Sequence, residues 1–208
     1  LRTKLQLKEV GADHYVINGT PADCVIFALR HLFVQPPDLV ISGINHGANL
    51  GDDIMYSGTV AAAREAAHHG VPSIAISQAY YNGEAIRFKR GAEFVREMVA
   101  ALLRKGFSGE ICLNVNIPVR KIKGAKITRQ GCAEYIPHFN ALDRADEYSS
   151  VPPSPAAEPK TELMSDHDAI MEDYVSITPL QRDQTDYAAA QSLLREAETR
   201  FAAAARAR

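Results

Sequence analysis

The sequence predicts an α/β protein of three-layer form with a mostly parallel sheet. Three observations predict it. Short apolar runs such as Leu39-Val40-Ile41 and Ile74-Ala75-Ile76 end in polar or glycine-rich turns, as buried parallel strands do. Segments of helical period separate them. The order strand, loop, helix, strand recurs along the chain, and that order defines the βαβ unit, which is right-handed on general grounds.

The elements follow in order. Leu5 to Ile17 alternates loosely around Gly11-Ala12-Asp13 and reads as two short strands joined by a turn. The period then changes. Thr20 is placed to cap a helix, Pro21 suits its first position, and Asp23 favours the dipole in the first turn. Ala22, Val25, Ile26, Leu29, Leu32 and Phe33 follow at helical spacing, so an amphipathic helix against a sheet is expected. Pro36-Pro37 stops it. Asp38 to Gly43 reads as a buried parallel strand, and Ile44 to Tyr56 as a long polar loop. Ser57-Gly58-Thr59 opens a helix over Val60 to His69, ended by Gly70, and Val71 to Ser77 is the next strand.

A second helix is expected from about Glu84 to Lys105, with Phe88, Ala92, Val95, Val99, Leu102 and Leu103 on one stripe and Gly106 as its stop. Ile111 to Pro118 is another buried strand, and Gly124 to Arg129 a more polar strand at an edge. From Gly131 to about Asp173 the proline-rich, acidic sequence cannot fill a central layer and reads as an arm with a β-hairpin. Tyr174 to Leu180 returns to strand character. The last helix, Tyr187 to about Ala205, aligns Ala190, Leu194, Ala197, Phe201 and Ala204 on a narrow apolar stripe suited to a partner subunit. The expected division is a core over 1–130 and, over 131–208, the arm, the returning strand and the terminal helix, serving oligomerisation.

Composition narrows the function classes. The chain has 208 residues, 46% of them hydrophobic and 23% charged, which excludes disordered, collagenous and disulfide-framed classes. With 23 Lys plus Arg against 25 Asp plus Glu, no surplus of positive charge exists for a phosphate backbone, and no nucleic-acid partner is expected. Cys24, Cys112 and Cys132 are widely spaced and read as core thiols of a reducing compartment. No apolar run approaches the roughly 18 residues of a membrane span, and no signal-peptide core follows Leu1. No membrane partner and a cytoplasmic location are therefore expected. The chain opens on Leu1, not Met, and is expected to have been cut from something longer.

Chemistry concentrates in one loop. In an open α/β sheet, ligands bind beyond the carboxyl ends of the strands, and the stretch from Ser42 to Thr59 leaves a strand and finishes at a helix start. The free N–H groups there, with the Ser57 and Thr59 hydroxyls, suit a phosphate, although a glycine-rich turn before a helix also serves as a plain connection. Asn45, Asn49, Asp52 and Asp53 are hard oxygen donors for magnesium or manganese, or else turn-forming and capping residues. His46 reads as a general acid or a phosphate contact. His68 and His69, at a helix carboxyl end, favour the dipole. The sequence holds no nucleophile elbow, Walker loop or zinc spacing.

Three blocks, Gly19 to Val25, Pro37 to Asp53 and Tyr56 to Glu65, closely resemble the SurE family, the stationary-phase survival nucleotidases. Leu113 to Pro118, Ile122 to Gly124 and Tyr174 to Leu180 extend the match nearly to the carboxyl terminus. The resemblance implies a divalent-metal-dependent phosphatase that hydrolyses nucleoside 5′-monophosphates, and often 3′-monophosphates. It also implies a Rossmann-like fold whose carboxyl-terminal elements exchange between subunits of a homodimer or homotetramer. The family's single metal ion, Mg2+ or Mn2+, is held by two adjacent aspartates after the first strand, a serine in the next loop, and the asparagine of a Ser-Gly-x-Asn block. Only the last maps here, onto Asn45. Ser42, Asn49 and the helix start Ser57, Gly58 and Thr59 would line the same pocket.

The family's Asn-Asp-Asp-Gly strand and Ser-Gly-Ala-Ser loop have no counterpart in the chain, so the resemblance assigns no catalytic residue. Asp52-Asp53 corresponds to residues beside the family's pocket, not to the ligand pair. Asp173 stands where the family usually has glycine. A sequence truncated at its amino terminus by a unit of roughly 30 residues or more is expected, and the 208-residue chain alone is expected to release little phosphate. The alternative is a non-catalytic phosphate- or nucleotide-binding module that oligomerises.

Overall fold

The computed structural model describes residues 4–80, 86, 88–106, 111–132, 138–141, 148–151 and 161–194. A hairpin of β1 (Leu7–Gly11) and β2 (His14–Ile17) precedes α1 (Pro21–Phe27). The central sheet holds β3 (Val40–His46), β4 (Ser73–Gln78), β5 (Cys112–Ile117), β6 (Gly124–Ile127) and β9 (Tyr174–Leu180), in the order β3-β4-β5-β9-β6. β3, β4 and β5 are parallel; β9 runs antiparallel to β5 and parallel to β6. Helices α2 (Gly58–His68) and α3 (Phe88–Lys105) cover its two faces, which makes the fold the three-layer α/β class the sequence predicts. A second hairpin, β7 (His138–Ala141) with β8 (Tyr148–Val151), and the short helix α4 (Asp166–Met171) precede β9.

Strand alternation sorts the core into two layers. Ile74, Ile76, Val115 and Ile117 face α3 and pack with Val95, Phe94 and Met98. Ala75 and Cys112 face α2 and pack with Val60, Ala63 and Ala67. The small residues of α2 bring that helix close to the sheet.

Several expectations are corrected. Helix α1 packs on α2 and not on the sheet, and none of its residues is buried, because α2 already occupies that face. It ends at Phe27 in a π-helical turn, Ala28–Leu32, so the helical pattern through Phe33 spans two helix types. β3 is half-exposed and lies at the sheet edge, where Ile41 is 46% exposed. It runs on to His46, so Ile44, Asn45 and His46 are strand and not loop. α3 starts at Phe88, with Ile86 outside it; the expected residues 84 and 85 lie outside the described residues. Cys24 is exposed, and only Cys112 is a fully buried thiol.

The expected arm is not wholly an excursion. Ser165 caps α4 by accepting from the Asp168 amide at 3.0 Å; Ala169 is buried, and Ile170 is buried beside Ala79 and Val119. Asp173, just past α4, takes a φ of +66°, a conformation in which glycine pays no steric cost and Asp is tolerated. That explains why glycine suits this position. Residues 187–194 are helical and exposed; Ala197, Phe201 and Ala204 of the expected docking stripe lie outside the described residues.

Candidate functional site

The site is built where β3 and β4 end and α2 begins. Ser42 pairs with Ala75 and Asn45 with Ser77, so both β3 residues lie on the face that α2 covers. The register slips between them at Gly43, whose φ of +114° admits glycine alone and whose missing side chain leaves room for the Ile76 carbonyl oxygen. The Asn45 amide nitrogen donates to the Gly47 carbonyl at 3.0 Å. Among the described residues no donor meets its Oδ1.

Beyond β3 the chain forms a strap across the sheet's carboxyl edge. Gly47 N donates to the Gln78 carbonyl at 2.9 Å, Asn49 N to Asn116 Oδ1 at 2.7 Å, and Gly51 N to Asp166 Oδ2 at 2.9 Å. The strap enters a 3-10 turn, Gly51–Met55, and reaches Ser57, whose hydroxyl oxygen accepts from Val60 N at 3.1 Å and caps α2. The amino-terminal N–H groups of α2 and the Thr59 hydroxyl sit in the first turn, where a helix favours an anion. Pro21 of α1 lies close against Gly58: a Cβ there would stand 3.1 Å from Pro21 Cγ. Ser57→Ala removes the cap and is expected to cost about 1 kcal/mol of stability, read as a lowered melting temperature.

The sequence-derived residues therefore divide. Ser42, Asn45, Ser57, Gly58 and Thr59 come to the α2 side of the sheet's carboxyl edge. Asn49 turns inward: it is buried, and its side-chain amide donates to Ser77 Oγ at 2.6 Å, so it is an anchor of the strap. His46 pairs with Gln78 and faces α3, its ring 4.7 Å from that of Tyr80, on the opposite face from Asn45. Asp52 and Asp53 sit in the 3-10 turn. Burial pushes the Asp53 carboxyl up, and the charges of Asp166 and Asp52 add to that. His69 pairs with Glu65 at 3.2 Å and meets Arg30 at 3.3 Å, a structural role at the end of α2.

Sequence reasoning missed four buried polar residues that hold the strap: Ser77, Asn114, Asn116 and Asp166, none of them exposed. Asn114 and Asn116 carried a signal, since two amides on one face of an otherwise apolar strand must find partners when buried. Asp166 carried none. A cleft of about 500 Å³ lies between α2 and the segment after β9, lined by Arg64, Glu65, His68, Cys112 and Leu180. It runs along α2 from Ser57 at the helix start to His68 at its end, and Asn45 does not line it.

Among the described residues no three His, Cys, Asp or Glu side chains converge. The donor that the described residues offer a divalent cation at the site is one neutral amide oxygen, Asn45 Oδ1, which does not make a cation site by itself. No helix among the described residues is long and apolar enough to cross a membrane.

Fold and site define a Rossmann-like α/β protein whose ligand would sit at the carboxyl edge of a parallel sheet. The family model described as "Survival protein SurE" matches residues 1–137. The chain is 38% identical over 194 residues to "5'-nucleotidase SurE" of Ehrlichia ruminantium, covering 90% of this chain and 77% of that protein. It is 42% identical over 191 residues to "5'-nucleotidase SurE" of a Thermoanaerobacter species, covering 90% and 75%. The crystal structure of the SurE protein from Aquifex aeolicus superimposes with a TM-score of 0.80 at 37% identity, over 92% of this chain and 79% of that one. The chain belongs to the SurE family.

Proposed function

We propose that the protein is a 5′-nucleotidase: it adds water to the phosphorus of a nucleoside 5′-monophosphate, breaks the bond to O5′ and returns a proton to the nucleoside hydroxyl. The observation that carries the reading is the meeting of the Ser42–Asn45 face with the capped start of α2, in a family whose relatives bear that activity in their names. The Ser57 and Thr59 hydroxyls and the first N–H groups of α2, Gly58 included, donate to the phosphate oxygens and offset the charge that develops on them. Ser42 supplies a further hydroxyl on the same face.

The proposal extends to hydrolysis of 3′-monophosphates and to a single divalent cation, Mg2+ or Mn2+, to which Asn45 gives one oxygen. No further ligand for it is found among the described residues. It extends also to a cytoplasmic homodimer or homotetramer with carboxyl-terminal exchange, acting without nucleic acid or membrane.

The test is phosphate release by the full-length protein from adenosine, guanosine, cytidine and uridine monophosphates with each metal. Release supports the reading; tight nucleotide binding without release would make the protein a binding module. Asn45→Ala is expected to raise the half-saturating metal concentration about tenfold, more than Asp52→Ala does. The reverse order would make Asp52 the ligand.

A further inference from the structure

The strap from Gly47 to Gly51 connects Asn45 to the segment that caps α2, so its position sets the spacing between the two halves of the site. Its middle residue is held from below by three side chains of the sheet. Asn114 Nδ2 and Asn116 Nδ2 donate to the Asn49 carbonyl at 2.8 and 3.0 Å, Asn116 Oδ1 accepts from Asn49 N, and Ser77 Oγ accepts from Asn49 Nδ2. Asn116 thus reads both backbone groups of one residue, as a neighbouring strand would.

The arrangement is poor economy for stability alone. Asn114 is fully buried, yet its Oδ1 has no hydrogen-bond partner among the described residues, and a buried unsatisfied carbonyl costs free energy that an apolar residue would not. The Asn49 carbonyl already has a donor in Asn116, so the second amide is surplus to satisfying it. A strained or underpaired group kept in a well-packed sheet points to a task other than holding the fold.

We propose that Asn114, with Asn116 and Ser77, is a positioning residue: the three fix the height and tilt of the strap at Asn49 and so set the distance between Asn45 and the amino terminus of α2. The inference rests on the nucleotidase reading, because what is positioned is its phosphate site. A displacement of about 1 Å at such a site lowers turnover up to about 100-fold.

The experiment uses Asn114→Val, with Ser77→Ala as a second variant that changes packing little, and Thr128→Val as a control. Thr128 bonds Ser176 and Thr178 at 2.9 and 2.8 Å in the same sheet, and it makes no bond to the strap. Asn114→Val is expected to melt no lower than the wild type while kcat/KM for nucleoside monophosphate falls about 10- to 100-fold, with Ser77→Ala lowering it in the same direction. Thr128→Val is expected to melt lower with kcat/KM unchanged. A lower melting temperature for Asn114→Val with full turnover per folded molecule would reduce Asn114 to a structural role and overturn the inference.

Amide exchange at Gly47 and Gly51, which Asn114 does not touch, separates the two readings. If even the wild type releases no phosphate, the nucleotidase reading fails; faster exchange at both glycines in Asn114→Val and Ser77→Ala still supports the positioning role. Unchanged exchange at both overturns it.

Discussion

Gly43→Ala is expected to destabilise the protein by about 2–6 kcal/mol and to abolish nucleotide turnover. Two costs add. At a φ of +114° a residue with a Cβ is strained by about 1–3 kcal/mol, and the new methyl would overlap the Ile76 carbonyl oxygen and stand 3.0 Å from Asn45 N. Both are backbone atoms, so relief requires β3 to move off β4, and overpacking of that kind costs roughly 1–3 kcal/mol more. The displaced residue would be Asn45 itself. Chemical denaturation reads the stability, and phosphate release reads the site. An alanine variant within about 1 kcal/mol of wild type would mean that Gly43 does not hold the positive φ and the close approach to Ile76 described above.

Asp166→Ala is expected to cost about 3–5 kcal/mol, a fall of roughly 10 °C in melting temperature. The carboxylate accepts from Gly51 N, Gly131 N and His167 N, each at 2.9 Å, and the first two amides are buried. Alanine leaves both without an acceptor. Gln130 Nε2 donates to the Gly51 carbonyl at 3.0 Å, so the far end of the strap would be held by that one bond. Burial pushes the Asp166 carboxyl above the usual carboxylate range, while the three amides pull it down. The folded form therefore binds a proton more readily than the unfolded one, and this group's contribution to stability falls as pH rises through the raised value. Asp166→Asn should lack that slope, and melting curves across mildly acidic pH would show the difference.

How far the sequence spoke depended on whether a structure was local. The cap and first turn of α1 were legible because Thr20, Pro21 and Asp23 settle them among themselves; the structure adds the reciprocal bond from Thr20 N to the Asp23 carboxylate. The strands β4 and β5 were legible from apolar runs. What was not legible depends on contacts across the chain. The pattern from Ala22 to Phe33 shows an apolar stripe but not its partner, and the partner is α2. Asn49 looked like a ligand because a polar residue in a glycine-rich loop has no visible bonding partner. Its partners come from residues 77, 114 and 116. Asp166 sits 115 positions from Gly51, and no local rule relates the two.

The placement of β9 has a consequence for how the chain assembles. β6 has one neighbour in the sheet, β9, and Gly124 waits for Tyr174 to arrive before it can pair. Thr128 and Thr178, which bond across that seam, are 50 positions apart. During synthesis β5 emerges with one flank on β4 and the other open, an apolar strand with unpaired amides. Such an open flank is the kind of surface on which partly made chains adhere to one another. β9, which follows β5 and β6 in the chain, closes it, so the seam at β9 pairs late and is a surface a chaperone would protect.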